Sequence, residues 1–314
     1  MEPINIVISM DCEPVRPADR QGPATSGPNS YEDSARFIEG YAAIAREFGL
    51  PVSFFIHPET AAAHPRLFLD LESDGACLGL HLHPYKFDPE TYPTHFGSLS
   101  AMRQTALVSE GTAIWQRALG RRPEYFRPGT FSANDATFAV LEELGFRGGS
   151  ISCPGRNFPD LYASWIGAPP DPHRANPDFR LLPGQLDFVN LPLTVDTSRT
   201  EIRNARSFNW DLRPDYLDAD YPTIAGNIVA QIVDRAPAVP MIMIVTHNDN
   251  DFTDRRDRVA DNLQRSIAAI FEACDARSVP AAGATVSAVC DKVRSSVPAA
   301  PPAFTLGHAA IQTG

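Results

Sequence analysis

The chain has 314 residues, 43% of them hydrophobic, and a formal net charge of −11. It is long enough for one barrel-sized domain or two smaller ones, and its negative charge, without a cluster of Lys and Arg, excludes nucleic acid as a partner. The start Met1-Glu2-Pro3 lacks the basic and apolar parts of a signal peptide, and no apolar run approaches the about 18 residues of a membrane span, so we expect a cytoplasmic protein without a membrane partner.

The first predicted strand ends in two carboxylates. Residues 4–10 are mostly apolar, and Asp11 and Glu13 follow at i and i+2, where side chains of a strand share one face. Cys12 lies on the opposite face, and we expect it in the core. The five cysteines are scattered without a Cys-x-x-Cys pair, which excludes a disulfide framework and a thiolate zinc site.

A polar loop over residues 14–29 leads to the first predicted helix and the next two strands. The helix begins at about Ser30, carries an apolar stripe at helical spacing, and is ended by Gly49 and Pro51. Val52–Ile56 predicts the second strand and Cys77–Leu82 the third. The stripe consists of Phe37, Tyr41, Ile44 and Phe48.

The third strand ends in a pair of imidazoles. His81 and His83 stand at i and i+2 and can therefore hold one metal ion together. A helix over about residues 99–119 follows and ends at Gly120. A short fourth strand, residues 125–127, then leads into Pro128 and Gly129.

Further along, Asn134 is predicted to cap a helix that Gly145 ends, and shorter strands are expected near residues 146–152 and 188–193. Residues 154–183, rich in Pro, Asp and Arg, break the alternation and predict an excursion over the strand ends. The excursion is either a lid or a passive surface loop, and residues 207–211 are a candidate extension of it.

The last part of the chain returns to alternating helices and strands. A helix with Ile224, Ile228 and Ile232 precedes an apolar strand over residues 241–246 that stops at His247, and another amphipathic helix follows. Alternating strands and helices predict a parallel sheet with helices outside, in a closed or partly open barrel. We therefore expect one α/β domain over residues 1–294 and a Pro- and Ala-rich surface tail over residues 295–314.

Three strands thus end in groups suited to metal binding or acid–base chemistry, and the carboxyl ends of parallel strands meet at one edge. Zinc accepts imidazole nitrogen and carboxylate oxygen, so His81, His83 and one of the two carboxylates predict a metal site. The other carboxylate is then free to act as general base on water, and His247 as general acid for a leaving amine. This division of labour is the one that amide hydrolysis needs. Gly129 and Thr130 are the predicted oxyanion site, because glycine lets backbone N–H groups come close to a ligand.

These segments resemble the NodB-homology polysaccharide deacetylases (carbohydrate esterase family 4). The resemblance covers roughly residues 4–290 and implies a distorted, partly irregular (β/α) barrel with fewer than eight regular strands. Residues 52–55 also resemble the second strand of the family. The resemblance rests on four motifs, namely Ser-Met-Asp-Cys-Glu at residues 9–13, Gly-Leu-His-Leu-His-Pro at 79–84, Phe-Arg-Pro-Gly at 126–129 and Val-Thr-His at 245–247.

The resemblance also implies roles for individual residues. His81 and His83 become metal ligands, Arg127 orients the base, and His247 is the general acid. By analogy with family variants of Asp-x-Asp form, Glu13 is the metal-binding carboxylate and Asp11 the base, with the reverse assignment left open. The implied cofactor is one divalent ion, with zinc expected and cobalt, nickel and manganese as alternatives.

The chain departs from the common family pattern in three places. Cys12 separates carboxylates that are usually adjacent, and the histidines are spaced His-x-His instead of His-x-x-x-His. The fourth motif of the family, an aspartate usually near a tryptophan, has no clear counterpart. Asp187, Asp196 and Asp211 are its candidates.

The resulting hypothesis is a metal-dependent amidase that deacetylates an N-acylated sugar or a related small amide. The substrate partner would be a small molecule or saccharide with an N-acyl group, and the sequence does not fix the oligomeric state. One alternative is a metal amidohydrolase of the urease-like barrel superfamily that acts on a non-sugar or cyclic amide. That superfamily, however, needs more metal histidines on later strands. The other is a catalytically silent barrel that binds a glycan or a metal.

Overall fold

A computed structural model describes residues 2–16 and 26–300 of the protein. In chain order, its strands are β1 (Ile4–Cys12), β2 (Val52–Ile56), β3 (Cys77–Leu82), β4 (Tyr125–Pro128), β5 (Gly148–Gly149), β6 (Asn157–Phe158), β7 (Ala163–Ser164), β8 (His173–Arg174), β9 (Val189–Asn190), β10 (Val195–Arg203), β11 (Arg206–Asp211), β12 (Met241–His247) and β13 (Ala281–Gly283). The helices are α1 (Tyr31–Glu47), α2 (Pro58–Ala63), α3 (Pro65–Ser73), α4 (Pro84–Phe87), α5 (Ala101–Leu119), α6 (Thr137–Glu143), α7 (Tyr221–Arg235), α8 (Arg258–Asp275) and α9 (Val286–Ser296).

The main sheet runs in the order β12-β1-β2-β3-β4-β5-β9-β8, with β13 paired to β1. Its neighbouring strands are parallel except for the antiparallel pair β8 and β9. Within this main sheet, as far as the structure describes it, the strands with four or more residues are β1, β2, β3, β4 and β12. The sheet is therefore regular on one side and irregular on the other. The predicted distorted, partly irregular (β/α) barrel is confirmed, as a curled half-barrel sheet with helices outside.

The two sides of the curled sheet approach each other at Thr194. Its hydroxyl accepts a hydrogen bond from the backbone N–H of Met243 at 2.9 Å, which connects the segment after β9 to β12. Strand β1 lies in the middle of the regular side, and all nine of its residues are buried. A strand covered on both faces is typical of a parallel sheet, and it explains the nearly continuous apolar run in the sequence.

Strand register brings the functional ends together. Asp11 at the end of β1 pairs in register with His247 at the end of β12, and His81 on β3 pairs with Arg127 on β4. Because these strands are parallel, all four residues lie at the carboxyl edge of the sheet, as the sequence predicts.

The long helices begin and end close to their predicted bounds. The Ser30 hydroxyl caps α1 by accepting from the backbone N–H of Asp33 at 3.1 Å, and Gly120 ends α5 in the left-handed conformation. Helix α6 begins at Thr137, so the prediction that Asn134 caps it directly is wrong. The Asn134 side-chain amide instead donates to the carbonyls of Gly97 and Leu99, in the loop before α5, and accepts from the backbone N–H of Ala136. Asn134 thus stabilises a turn before α6.

The predicted excursion forms part of a second sheet. Strands β6 and β7 come from residues 154–183 and join the β10–β11 hairpin in the antiparallel order β10-β11-β6-β7. Asn204 and Ala205 both have positive φ at the tip of that hairpin. The hairpin is not predicted from the sequence, because β10 is largely exposed and neither strand has a continuous apolar run.

Helices α2, α3 and α9 are also not predicted from the sequence. Helices α2 and α3 are short, and α9 packs three buried valines against the core at residues 286, 289 and 293. Helix α9 includes Ser295 and Ser296, and most of the predicted tail lies outside the described residues, so the domain boundary at residue 294 stays a prediction. In the described part of the chain, no helix combines the length and apolarity needed to span a bilayer. All five cysteines are buried and free, Cys12 among them.

Candidate metal centre and active site

Three predicted ligands meet at the carboxyl edge of β1 and β3. The Oε1 atom of Glu13 lies 2.9 Å from Nε2 of His83 and 3.4 Å from Nε2 of His81. One ligand atom from each residue lies within 4.8 Å of the others, and all three residues are buried. The structure therefore places the three side chains where one ion could contact all of them.

The protonation of this group suits a divalent cation. Nδ1 of His81 lies 2.9 Å from the carbonyl oxygen of Arg127, which can only accept, so Nδ1 carries a hydrogen and Nε2 is the ring nitrogen that faces Glu13. Burial lowers the pKa of His83 to about 4, which keeps its imidazole neutral. Burial opposes the charge on Glu13, but attraction to His83, Lys86 and His81 outweighs it and holds the pKa of the carboxyl well below its usual range.

The electrostatics at His81 favour a cation at the same place. Burial acts to lower the pKa of this imidazole, but the carboxylates of Asp11 and Glu13 raise it overall. Two neutral imidazoles and one carboxylate are a common donor set for a catalytic zinc ion. The Oε2 atom of Glu13 is buried and accepts no hydrogen bond in the described chain, with the Lys86 ammonium 3.0 Å away as its only ion-pair partner there. The residues present thus fit the implied divalent ion.

Several neighbours that sequence reasoning did not identify hold Glu13 in place. Its backbone N–H donates to Oδ1 of Asn248 at 2.7 Å, and its carbonyl accepts from Nδ2 of Asn248 at 3.2 Å and from the hydroxyl of Thr60 at 2.9 Å. The hydroxyl of Ser26 donates to Oε1, and the Lys86 ammonium lies 3.0 Å from Oε2. The sequence offers only one signal for this set, namely that Asn248 follows His247.

The predicted base forms an ion pair with the predicted arginine. Nη1 of Arg127 donates to Oδ1 of Asp11 at 2.6 Å, and its Nη2 donates to the hydroxyl of Ser9 at 3.0 Å. The guanidinium also lies 4.1 Å above the ring of Phe55 and is fully buried. Burial opposes ionisation of Asp11, but Arg127, His81 and His247 outweigh it and lower the pKa of its carboxyl. Asp11 is therefore an ionised carboxylate with one oxygen already bound.

The turn after β4 has a strained backbone beside the metal ligands. A side chain at Gly129 would place its Cβ 2.1 Å from Nδ1 of His83, so glycine is required for the imidazole to pack there. Thr130 and Phe131 follow with φ of 59° and 57°, a left-handed conformation that residues other than glycine rarely adopt. Gly129 thus contacts a ligand imidazole, and Thr130 lines the adjacent cavity.

The predicted general acid lies across the cavity with an aspartate that the sequence analysis missed. Nδ1 of His247 is 3.9 Å from Oδ2 of Asp215, whose Oδ1 accepts from the hydroxyl of Thr246 at 2.9 Å. Burial raises the pKa of the Asp215 carboxyl, although the charges of His247 and Arg213 act in the opposite direction. His247 therefore has a carboxyl group from the loop between β11 and α7 as a neighbour, 3.9 Å from its Nδ1.

His247 lies outside the group of Glu13, His81 and His83 that could hold one ion. It forms instead, with Asp215 and Asp249, a second group of ligand-type atoms, and these three residues are partly exposed. If His247 were a third metal histidine, it would have to be part of the buried group. The geometry thus separates His247 from the predicted ligands.

The three candidates for the missing fourth motif have other partners. Asp187 is exposed and pairs with Arg174. Asp196 accepts hydrogen bonds from residues near the start of the hairpin and on α7. Asp211 pairs with Arg213 in the cavity wall. The aspartate that forms the contact with His247 is Asp215, which is not one of these three candidates.

A cavity of about 270 Å³ connects these groups, and we call it the site cavity. Residues of the predicted excursion form part of its wall, so the excursion contributes to the site. A larger concave surface of about 720 Å³ lies on the outer side of the β10–β11 hairpin, but its lining offers no group of metal ligands. The site cavity is lined by Asp11, Ser26, His83, Tyr85, Thr130, Phe131, Arg156, Phe158, Leu161, Arg213, Val245 and His247.

Sequence comparison relates part of the chain to a known family. The profile of the polysaccharide deacetylase family matches residues 29–149. This range contains His81, His83 and Arg127 but neither Asp11 nor His247. None of the curated proteins matches the chain.

Solved structures with a similar fold extend over most of the chain. The Puue allantoinase has 12% identity and a TM-score of 0.59, with 95% of this chain and 92% of the allantoinase covered. A Pseudomonas aeruginosa PAO1 protein assigned as a polysaccharide deacetylase has 13% identity and a TM-score of 0.57, with 94% and 92% covered. A Mycobacterium smegmatis protein with the same assignment has 17% identity and a TM-score of 0.53, with 87% and 83% covered. At such identities the likeness shows a shared fold.

Proposed function

We propose that this chain, which belongs to the polysaccharide deacetylase family, is a metal-dependent hydrolase that removes the acyl group from an N-acylated sugar or a related small amide. The family supports an amide-deacetylating hydrolase in general. The observation that carries the finer proposal is that Asp11, held by Arg127, shares one cavity with His83 and His247. These residues are a base, a ligand and an acid arranged around the same space.

Glu13, His81 and His83 would hold the divalent ion. When bound, such an ion lowers the pKa of water towards about 7 and polarises an acyl oxygen. Three protein ligands leave the open position that a catalytic site needs. The interactions of Asn248 and Thr60 with the Glu13 backbone support this role, because they fix the chain segment that carries the carboxylate.

Asp11 is the general base in this proposal. Its Oδ1 is bound to Arg127, so Oδ2 is the atom that would take the proton from the attacking water. The salt bridge keeps Asp11 ionised and fixes its orientation, which is the positioning role proposed for Arg127. Glu13 faces the imidazoles and Asp11 faces the guanidinium, and this arrangement supports Glu13 as ligand over the reverse assignment.

The backbone of Gly129 and Thr130 is the proposed oxyanion site, and His247 the general acid. The turn lies against His83, so an acyl oxygen bound there would be next to the metal ligands. A tetrahedral substrate analogue should place an oxygen within hydrogen-bond distance of this turn, and a structure with that oxygen elsewhere would refute the oxyanion assignment. His247 faces the cavity beside Asp215 and would donate a proton to the leaving amine.

The decisive experiment is a turnover screen of protein loaded in turn with zinc, cobalt, nickel or manganese. The substrates are N-acetyl sugars and small cyclic and linear amides, because one neighbour of the fold is named an allantoinase and others are assigned as polysaccharide deacetylases. Release of acetate from an N-acetyl sugar, lost in Asp11→Asn, supports the proposal. Turnover of cyclic amides alone favours the non-sugar amidohydrolase. Ligand binding without turnover under any metal favours the catalytically silent barrel.

A further inference from the structure

A buried arginine of the site cavity has no carboxylate partner among the residues that the structure describes. Arg156 precedes β6 in the excursion, is only 6% exposed, and lines the same cavity as Asp11 and His247. Its neighbours of the same type are neutralised, since Arg127 pairs with Asp11 and Arg213 with Asp211. Over residues 2–16 and 26–300, no ion pair forms at Arg156, and its Nε is buried without a hydrogen-bond partner.

The structure holds this guanidinium in a fixed place. Its carbon lies 5.0 Å from the ring centres of both Phe131 and Phe158. Nη1 donates to the carbonyl oxygen of Thr130 at 3.3 Å, and the backbone carbonyl of Arg156 accepts from the N–H of Trp165 at 2.7 Å. Contacts with two rings and a carbonyl orient the group but leave donors unused. Arg156 is therefore pre-organised to bind a further acceptor.

The charge balance of this wall defines the acceptor. A buried cation without a counter-ion is unfavourable, and contacts with aromatic rings compensate only part of the cost. The Arg213 guanidinium binds both carboxylate oxygens of Asp211 and contributes no net charge. Among the cavity-lining arginines, and counting only partners within the described residues, one positive charge remains uncompensated, at Arg156. A single carboxylate matches this charge and the planar fork of donors on a guanidinium.

We propose that Arg156 binds a carboxylate of the substrate, so that the substrate class is an N-acylated amine that carries a carboxylate group. The inference rests on the proposed function, because the acyl group and the carboxylate must lie in the same cavity. The volume of about 270 Å³ suits a compact molecule with both groups. The apolar rings beside the guanidinium would also exclude water from the ion pair and strengthen it.

The test compares substrates that differ only in the carboxylate. N-acetylmuramic acid and its carboxamide form a sugar pair, and N-acetylalanine and N-acetylalaninamide form a non-sugar pair. We expect protein loaded with a divalent ion to prefer the acid over the carboxamide by about tenfold to a hundredfold in kcat/KM at neutral pH, mainly through KM, as a charge-assisted hydrogen bond predicts. A ratio near one for both pairs overturns the inference and leaves the hydrolase proposal intact.

Two substitutions assign the preference to Arg156. Arg156→Met keeps a stem between the two rings but removes the charge, so the ratio of acid to carboxamide should fall towards one. Arg156→Lys keeps a point charge and should retain part of the ratio. If the preference survives unchanged in Arg156→Met, the carboxylate is bound elsewhere and the inference is wrong. Thermal unfolding and metal content identify a variant that fails to fold. If Arg156→Met fails in this way, Arg156→Lys decides alone, and an unchanged ratio of acid to carboxamide contradicts binding of the carboxylate by the planar fork of the guanidinium.

Arg206→Met is the matched control. Arg206 stacks on Phe158 at the same distance of 5.0 Å, but it lies outside the site cavity and pairs with Asp160. Its substitution should therefore leave the preference for the acid unchanged, and a loss as large as in Arg156→Met would show that ring packing alone is responsible. If the parent protein hydrolyses no member of either pair, the proposed function fails for these substrates, and calorimetry decides the inference. Tighter binding of the acid that is lost in Arg156→Met supports it, and equal binding overturns it.

Discussion

The two halves of the site are held in different ways. In the metal half, which consists of Asp11, Glu13, His81, His83 and Arg127, every residue is 4% exposed or less. In the acid half, which consists of His247 and Asp215, the side chains are 25% and 28% exposed, and their closest atoms are 3.9 Å apart. The metal half sits at the ends of β1, β3 and β4, at one edge of the main sheet, whereas the acid half combines one strand end with a loop.

This difference matches the chemistry proposed for each half. Metal ligands and their supporting hydrogen bonds need fixed positions, and a closely packed strand edge provides them. A general acid must meet a leaving group whose position depends on the substrate, and a looser contact with Asp215 leaves room for that adjustment. Loss of a predicted ligand from the metal half should therefore remove metal binding and chemistry together, while disruption of the acid half should affect chemistry selectively.

The largest effect is expected from His81→Ala and His83→Ala. Each removes a ligand from the buried group, so both variants should lose most of their metal and essentially all activity. Elemental analysis of the purified proteins measures this directly. His64→Ala, at a histidine that belongs to neither half, is the control and should keep its metal. Normal metal content in both ligand variants would falsify the metal assignment.

Asp11→Asn tests whether base and ligand are separate within the metal half. The variant keeps the shape of the side chain but removes the proton acceptor, so activity should fall by about 10²- to 10⁴-fold while the metal stays bound. Arg127→Ala should likewise reduce the rate more than the metal content. Asp70→Asn, at an exposed aspartate on α3, is the matched control. If Asp11→Asn instead loses the ion, Asp11 and Glu13 have exchanged roles.

His247→Ala tests the selectivity expected of the acid half. Metal content should stay near normal, and amide hydrolysis should slow by about 10²- to 10⁴-fold. Esters with good leaving groups should be much less affected, because such groups leave without protonation. Parallel assays on a matched amide and activated ester measure the difference. Equal losses on both substrates, or loss of the ion, would contradict the role of general acid.

The smallest effect is expected from Asn248→Ala. This substitution removes two hydrogen bonds to the Glu13 backbone without removing a ligand, so metal affinity should weaken by about tenfold. Competition with a chelator measures the affinity. Asn250→Ala, at a nearby asparagine whose side chain contacts Asp249 instead, should leave it unchanged. Metal loss as complete as in His83→Ala would show that Asn248 does more than position Glu13.

The sequence predicted the regular side of the barrel better than the irregular side. Strands β1, β2, β3 and β12 are buried apolar runs with sharp ends, and hydrophobic patterning alone finds them. Strands β5 and β9 have only two residues each, and β10 is largely exposed, so none of these strands produces a strong hydrophobic pattern. Asn134 was misplaced because its amide satisfies backbone groups of a distant loop, which local capping rules do not include.

The sequence by itself determined which chemistry is available and at which strand ends. The His81 and His83 pair, Asp11 with Glu13, and the terminal His247 could be identified because strand geometry fixes the faces of residues two apart. Which carboxylate faces the imidazoles and which faces Arg127 was decided by the tertiary structure.

The tertiary structure also supplied partners that no local pattern contains. Asn248 contacts Glu13 across 235 residues of sequence, and Asp215 reaches His247 from a loop. Arg156 is notable only because the folded chain buries it beside the site without a carboxylate among the described residues. Such roles depend on distances between segments far apart in the chain, which are fixed only when the core packs and the sheet curls.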